Sequence, residues 1–294
     1  METQLIEIFC DVDDFCKEFE SKWQKYLLPH STKARGKCTM TLSEIMTIVI
    51  FFHLSNQRTF KGYYQSYIST TLKDCFPQHL SYNRFVEVMQ SALVPLVVYT
   101  LHYRSGKCSG ISFIDSTALA VCENQRIPSH KVFKDFAKRG KTSTGFFYGF
   151  KLHLAINDRG ETLSFAITQG NVDDRKGSVV SALTKNMFGR LFADKGYISG
   201  DLFQKLFERN ITLVTKVRRD MKNRLMLLSD RILLRKRAII ESVNDFLKNT
   251  CKIEHTRRRS VTHFLVNLIS DISAYSFLPK KPSLNLSPEQ PLLI

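Results

Sequence analysis

The spacing of apolar residues changes at a small-residue linker, residues 104–110. This change divides the chain into a helical part before the linker and a part with alternating strands and helices after it. Before the linker, apolar residues recur at the three- and four-residue intervals of an amphipathic helix. Thr41 and Glu44 have the spacing of a capping box, which predicts the start of a helix. Further helices are predicted over residues 60–71 and 82–100. We therefore expect an all-α domain over residues 1–104.

After the linker, the pattern is one of strands that alternate with helices. The β-prone runs 151–156 and 162–168 flank the turn Asn157-Asp-Arg-Gly160, which is typical of an antiparallel hairpin. Further strands are predicted over residues 111–114, 190–193 and 211–215, and helices over residues 174–183, 201–208 and 236–248. This order predicts an α/β domain with a mixed sheet over residues 110–275, followed by a Pro-rich tail over residues 276–294.

The role of the N-terminal helices is open between two alternatives. The apolar faces there are mixed with basic residues: Lys33, Arg35, Lys37, Arg58 and Lys61. A DNA-binding domain of helix-turn-helix type would use such residues on phosphates. A purely structural helical bundle would carry the same residues on its solvated face.

The charge of the chain indicates what it binds. There are 43 Lys and Arg against 27 Asp and Glu, which gives a net charge of +16 and a pI near 9.6. Such a balance favours a polyanion as partner, and nucleic acid is the commonest one. We expect no membrane partner, because the longest apolar stretches are too short to span a bilayer.

The cysteines indicate the compartment. The chain has 7 of them, an odd number, and no Cys-x-x-Cys pair. A disulfide framework or a zinc site is therefore not expected, and the reducing cytosol is the simple interpretation. The N-terminal residues lack the pattern of a signal peptide. We expect a cytoplasmic, nucleoid-associated protein.

Three acids stand in settings that suit catalysis. Asp115 follows the apolar run 111–114, and Asp194 follows the apolar run 191–193. Glu241 lies on a predicted helix, where Arg237 and Lys248 fall on the same face. Two strand ends and one helix would thus deliver three carboxylates, which are ligands that Mg²⁺ accepts. Two such ions can activate a nucleophile and stabilise the leaving oxygen in phosphoryl transfer.

Each acid also has a structural interpretation. An Asp after a strand is often a turn residue or a helix cap. Glu241 could be a surface acid paired with Arg237 and Asn244. Asp173 and Asp174 could compete with Asp194 as the second ligand, but they precede a predicted helix, where carboxylates cap exposed N–H groups.

Basic and aromatic residues alternate between the first two predicted strands. The cations that we expect on DNA here are Lys138, Arg139, Lys141 and Lys151, and the aromatic residues are Phe146, Phe147, Tyr148 and Phe150. Phosphate contacts with aromatic stacking suit a frayed DNA end. Alternatively the aromatic residues belong to the core of the next strand, which we prefer for Phe147 and Phe150. A second basic stretch, residues 214–259, carries 14 Lys and Arg against 5 Asp and Glu.

Together these motifs resemble those of bacterial insertion-sequence transposases of the DDE class. The resemblance covers residues 110–275 and rests on Ile-Asp115-Ser, on Ala-Asp194-Lys-Gly-Tyr, and on the signature Tyr-x₂-Arg-x₃-Glu-x₆-Lys around the glutamate. Arg237, Glu241 and Lys248 match that signature at the required spacing, whereas Leu234 stands at the Tyr position.

The resemblance implies a ribonuclease-H-like catalytic domain in which Asp115, Asp194 and Glu241 are the catalytic residues. They would bind two Mg²⁺ or Mn²⁺ ions. Arg237, Lys248 and Lys195 would contact DNA near the cut. The implied activity is to bind the inverted ends of an element as a homodimer, hydrolyse the 3′ strand and join it to target DNA. The alternatives are a nuclease without strand transfer and a non-catalytic DNA-binding relative.

Overall fold

The computed structural model describes residues 2–23, 39–143, 145–217, 225–249 and 260–284. It divides into two compact units, which we describe separately. Among these residues, the helical unit comprises 2–23, 39–104 and 260–278, and the sheet unit comprises 105–143, 145–217, 225–249 and 279–284.

The described helices of the helical unit are α1 (Glu2–Trp23), α2 (Leu42–Phe52), α3 (Phe60–Tyr63), α4 (Tyr82–Val88), α5 (Leu93–Val98) and α10 (Val261–Ser276). A π-helical segment, Tyr64–Thr71, continues α3, and another, Tyr99–Tyr103, continues α5. The predicted capping box is confirmed: the Thr41 hydroxyl accepts from the Glu44 amide at 3.2 Å, and the Glu44 carboxylate accepts from the Thr41 amide at 2.7 Å. Lys33, Arg35 and Lys37 lie outside the described residues.

Helix α10 belongs to the helical unit, whereas we expected its residues within the catalytic domain. The reason is that it is apolar or small on almost every side, and residues 266–275 are all buried. A helix of this kind needs other helices around it. The Thr100 and Ser273 hydroxyls lie 2.6 Å apart, and the His53 imidazole lies 3.1 Å from the Ser270 hydroxyl.

The run Tyr82–Tyr103 is longer than the apolar stretch that we expected, and its length and composition would allow it to cross a membrane. Part of this run packs in the interior of the helical unit. Phe85, Leu96 and Tyr99 are fully buried, and the Tyr99 hydroxyl donates to Asp11 at 2.6 Å.

The strands of the sheet unit are β1 (Ile111–Cys122), β2 (Lys138–Thr142), β3 (Gly145–Asn157), β4 (Thr162–Gln169), β5 (Gly189–Ala193) and β6 (Ile211–Thr215). Within the described residues they form one sheet, in which β3 pairs antiparallel with β1, β2 and β4. Strand β5 lies parallel to both β1 and β6. This confirms the predicted α/β class, a ribonuclease-H-like mixed sheet flanked by helices, with an all-α N-terminal part.

The helices of this unit are α6 (Gly177–Leu183), α7 (Gly200–Phe207), α8 (Leu228–Arg235) and α9 (Ala238–Asn249). Apolar residues of α6 and α7, such as Val180 and Leu202, pack with Ile114 of β1. Helix α9 contacts β1 through Asn244, which reaches Asp115. Neighbouring residues of a strand point to opposite faces. Ile114 packs with α6 and α7, whereas Asp115 contacts α9, so these helices lie on opposite faces of the sheet.

Several elements differ from the prediction, among them strands β1 and β2 and helix α8, which was not predicted. Asp115 lies inside a long strand instead of ending a short one, because β1 pairs with β3 along almost its whole length, including the polar residues 115–117. Strand β2 was not predicted. Its sequence is Lys-Arg-Gly-Lys-Thr, which has no strand pattern of its own, and cross-strand pairing with the first residues of β3 forms it.

Candidate active site

The register of two parallel strands brings the first two candidate acids together. Phe113 of β1 pairs with Phe192 of β5, and the pairing of these strands ends there. Asp115 lies two residues after Phe113, and Asp194 lies two residues after Phe192. The two aspartates therefore occupy neighbouring positions just beyond the last paired residues of β1 and β5. Neighbouring strands lie about 4.8 Å apart. The two aspartates therefore lie near each other, with Asp115 within β1 and Asp194 directly after the end of β5.

Glu241 is connected to this pair through Arg237. The Arg237 guanidinium donates to Glu241 Oε1 at 2.5 Å and lies 3.8 Å from Asp115 Oδ1. Arg237 stands in the turn before α9, and Glu241 is one turn further on. The side chain of Arg237 is 18 % exposed and that of Glu241 is 56 % exposed. The cation is thus enclosed between the carboxylates, whereas the glutamate is open to solvent.

Asn244 is a site residue that the sequence analysis named only as a surface partner of Glu241. Its amide donates to Asp115 Oδ2 at 3.1 Å, so both oxygens of Asp115 face groups carried by α9 or the turn before it. The signal was available, because Asn244 lies three residues after Glu241 on a helix and therefore on the same face. Asn244 itself is buried.

Burial dominates the electrostatics of Asp115. It raises the pKa of Asp115 to about 6, against the opposing effect of the Arg237 cation and the Ser116 backbone N–H. The negative charges of Asp194 and Glu241 raise that pKa further, which places all three acids within electrostatic reach of one another. Burying Asp115 has a cost that a nearby cation reduces.

The donor set suits a hard divalent cation, but its oxygens are not gathered in this conformation. Among the described residues, no three His, Cys, Asp or Glu side chains are grouped closely enough to hold a metal ion. Asp194 accepts from the Lys195 amide at 2.7 Å, and Glu241 is bound by Arg237. Carboxylate oxygens are ligands that Mg²⁺ accepts, so the residue types fit a metal site, and the exposed Glu241 side chain would have to leave Arg237 to join it.

Asp173 and Asp174 have partners of their own. Arg175 binds Asp173 at 2.6 Å, and Lys151 lies 2.9 Å from Asp174. The same Lys151 ammonium donates to the Val172 carbonyl at 2.9 Å. Lys151 is thus held inside the unit, whereas we expected it on DNA.

A buried histidine stands next to this ion pair. His153 is fully buried, its Nε2 lies 2.9 Å from the Thr168 hydroxyl, and its Nδ1 lies 4.0 Å from Asp174. Burial lowers the pKa of His153 to about 4, although the Asp174 charge opposes that shift. The imidazole is therefore neutral at pH 7. The sequence analysis did not single out His153.

The remaining cations expected on DNA lie at several places in the sheet unit. Lys138, Arg139 and Lys141 are on β2 and exposed, and Lys195 is exposed directly after Asp194. Lys248 is half-buried near the end of α9. The basic residues at 218–224 and 250–259 lie outside the described residues. Contact with DNA stays a prediction for all of them.

An open cleft of about 850 Å³ lies in the same unit. The β2–β3 hairpin lines it with Arg139, Lys141 and Phe146, and the segment after β4 lines it with Asn171 and Arg175. Gly196, two residues after Asp194, also lines this space, which we call the hairpin cleft. One part of the hairpin cleft therefore borders the turn that follows the second candidate acid.

A match to a protein family agrees with the motifs. A family model described as "Transposase DDE domain" matches residues 105–261, which is 157 of the 294 residues. No curated protein matches the sequence. Among solved structures, the chain is similar to a piggyBac transposase in a synaptic complex with hairpin DNA, at 12 % identity and a TM-score of 0.44. That match covers 92 % of this chain and 71 % of the other.

Proposed function

Because the chain belongs to the DDE transposase family, we propose that it is a DNA transposase that uses Asp115, Asp194 and Glu241 as its catalytic carboxylates. It binds the inverted ends of its element, hydrolyses the 3′ strand and transfers that strand to target DNA. The observation that carries this proposal is the β1–β5 register, which sets Asp115 beside Asp194, with Glu241 linked to Asp115 through Arg237. Action as a homodimer on DNA is part of the proposal.

The three carboxylates would hold two Mg²⁺ or Mn²⁺ ions. Bound there, the ions supply Lewis-acid activation of the attacking oxygen and stabilisation of the leaving one. The chain's own residues perform the rest. Asn244 orients Asp115, and Arg237 balances the charge of Asp115 and Glu241. Arg237 can transfer its hydrogen bonds to a phosphate, since guanidinium groups suit phosphate geometry.

The test uses a DNA duplex with the sequence of one end of the element, which is the inverted repeat that flanks the coding region. With Mg²⁺ or Mn²⁺, the wild-type protein should nick this duplex at the element boundary and join the 3′ end to a plasmid. Asp115→Asn, Asp194→Asn and Glu241→Gln should each lower cleavage by roughly 10²- to 10³-fold or more, the loss typical when an electrostatic catalytic group is removed. Asp201→Asn is the matched control, because Asp201 is an exposed acid on α7 paired with Lys205.

Three results would contradict parts of the proposal. Full cleavage by all three variants would show that these acids are not catalytic. Nicking without joined products would indicate a metal-dependent nuclease. Tight binding of the end duplex without cleavage in either metal would indicate a DNA-binding relative that has lost catalysis.

A further inference from the structure

The hairpin cleft carries a surplus of positive charge. Two of its acids are neutralised inside the unit, because Arg175 binds Asp173 and Lys151 binds Asp174. The cations of β2 that line the cleft, Arg139 and Lys141, are exposed and form no ion pair within the described part of the chain. Residues i and i+2 of a strand share a face, so these two charges lie side by side. The surplus suits a polyanion.

An exposed aromatic ring stands next to these cations. Phe146 is 65 % exposed, and the Lys141 ammonium lies 5.5 Å from the centre of its ring. Lys141 and Phe146 are direct cross-strand partners in the β2–β3 hairpin. The Asn124 amide donates to the Phe146 carbonyl at 2.9 Å and holds the backbone there. The ring is therefore presented to solvent from a strand that is fixed by its neighbours.

This combination distinguishes between forms of DNA. A duplex keeps its base faces stacked inside, so an exposed ring finds no base to cover. An unpaired strand offers a base face for the ring and a phosphate for each neighbouring cation, which is how proteins bind single strands. Gly196 also lines the hairpin cleft, so a DNA strand bound there would run past the turn that follows Asp194.

We infer that the hairpin cleft binds an unpaired stretch of DNA strand, with a base stacked on Phe146 and phosphates on Arg139 and Lys141. The inference deepens the proposed function, because it gives the form in which the DNA end meets the protein. The inference rests on the proposed transposase function. Binding of the unpaired strand can nevertheless be measured separately from cleavage.

The test is fluorescence anisotropy with a labelled oligothymidine of about 12 nucleotides, within the span of known single-strand sites. A duplex of the same length is the second probe. Phe146→Ala should weaken binding of oligothymidine by at least about fivefold, since stacking of one base contributes about 1–3 kcal/mol. It should change binding of the duplex by less than about twofold. Phe146→Trp should keep the affinity for oligothymidine.

Phe207→Ala is the matched control, because Phe207 is a similarly exposed phenylalanine, 60 % exposed on α7, outside the residues that line the cleft. It should leave both affinities unchanged. Circular dichroism of each variant verifies that the fold is intact. The inference is overturned if Phe146→Ala binds oligothymidine as tightly as wild type does, or if both probes lose affinity equally.

Failure of this inference and failure of the proposed function give different results. A protein that cleaves and joins the end duplex, but whose binding of oligothymidine is insensitive to Phe146, is a transposase without this strand site. A protein that binds oligothymidine through Phe146, but never cleaves, has the strand site without transposase activity.

Discussion

Two sets of cations in the sheet unit have opposite surroundings. Arg237 and Lys151 are enclosed, with side chains 18 % and 13 % exposed, and each contacts a carboxylate. Arg139 and Lys141 on β2 are exposed, and they lack ion pairs within the described residues. All four were predicted to contact DNA from the sequence, where they are simply basic residues. The comparison shows that carboxylates of the protein itself neutralise the enclosed cations. Exposed cations such as Arg139 and Lys141 are therefore the better candidates for binding phosphates.

The enclosed surroundings of Lys151 should tolerate no further positive charge. Protonation of the neighbouring His153 is the strongest test of this. Its pKa is near 6.5 in the unfolded chain and about 4 in the folded protein. Between these values the unfolded state binds more protons, so stability is fully present above pH 6.5 and is lost as pH falls towards 4. The full loss is about 3 kcal/mol, of which about 2 kcal/mol falls between pH 7 and pH 5.

The measurement is urea unfolding followed by circular dichroism at pH 7 and pH 5. His153→Gln keeps a side-chain amide that can reach the Thr168 hydroxyl, but it does not titrate in this range. The variant should lose about 2 kcal/mol less than wild type between the two pH values. Equal losses in both proteins would mean that His153 is protonated without strain beside Lys151 and Asp174.

Arg237 tests the enclosed set at the acid site. Arg237→Ala removes the cation that faces Asp115 and Glu241, so the buried Asp115 loses its compensating charge. Without divalent metal, the free energy of unfolding at pH 7 should fall by about 1–2 kcal/mol. This lies between the effects of breaking a surface pair and a buried pair, as the partial exposure requires.

Arg235→Ala is the control for that experiment, because Arg235 is exposed at the end of α8 and its removal changes the net charge equally. It should change stability by less than about 0.5 kcal/mol. If the two variants unfold alike in metal-free buffer, the Arg237 pair contributes no more than a surface ion pair does.

Local patterns predicted parts of both units. Strand β6, the β3–β4 hairpin and the capping box at Thr41 follow from residues close together in the sequence, and the structure confirms them. Strand β2 could not be predicted, because Lys138–Thr142 acquires its conformation from pairing with β3.

The sequence named the three candidate acids, but it could not predict their contacts. The position of Asp115 beside Asp194 depends on the β1–β5 register, and the direction of Arg237 depends on where α9 packs on β1. The contact of Asn244 with Asp115 and that of His153 with Asp174 were missed for the same reason, since each joins residues far apart in the sequence.

The exposed set should show the smallest effect on stability and a specific effect on binding. Arg139→Ala and Lys141→Ala each remove a charge that forms no ion pair in the part of the chain that the structure describes, so the free energy of unfolding should change by less than about 0.5 kcal/mol. Binding of an end duplex should weaken, and the slope of log K against log salt should fall by about 1 for each phosphate contact that is lost. Lys185→Ala makes the same charge change at an exposed lysine that does not line the hairpin cleft, and it should keep the wild-type slope. The comparison fails if Lys185→Ala and Arg139→Ala lower the slope equally, because the hairpin charges would then act only through the net charge of the protein.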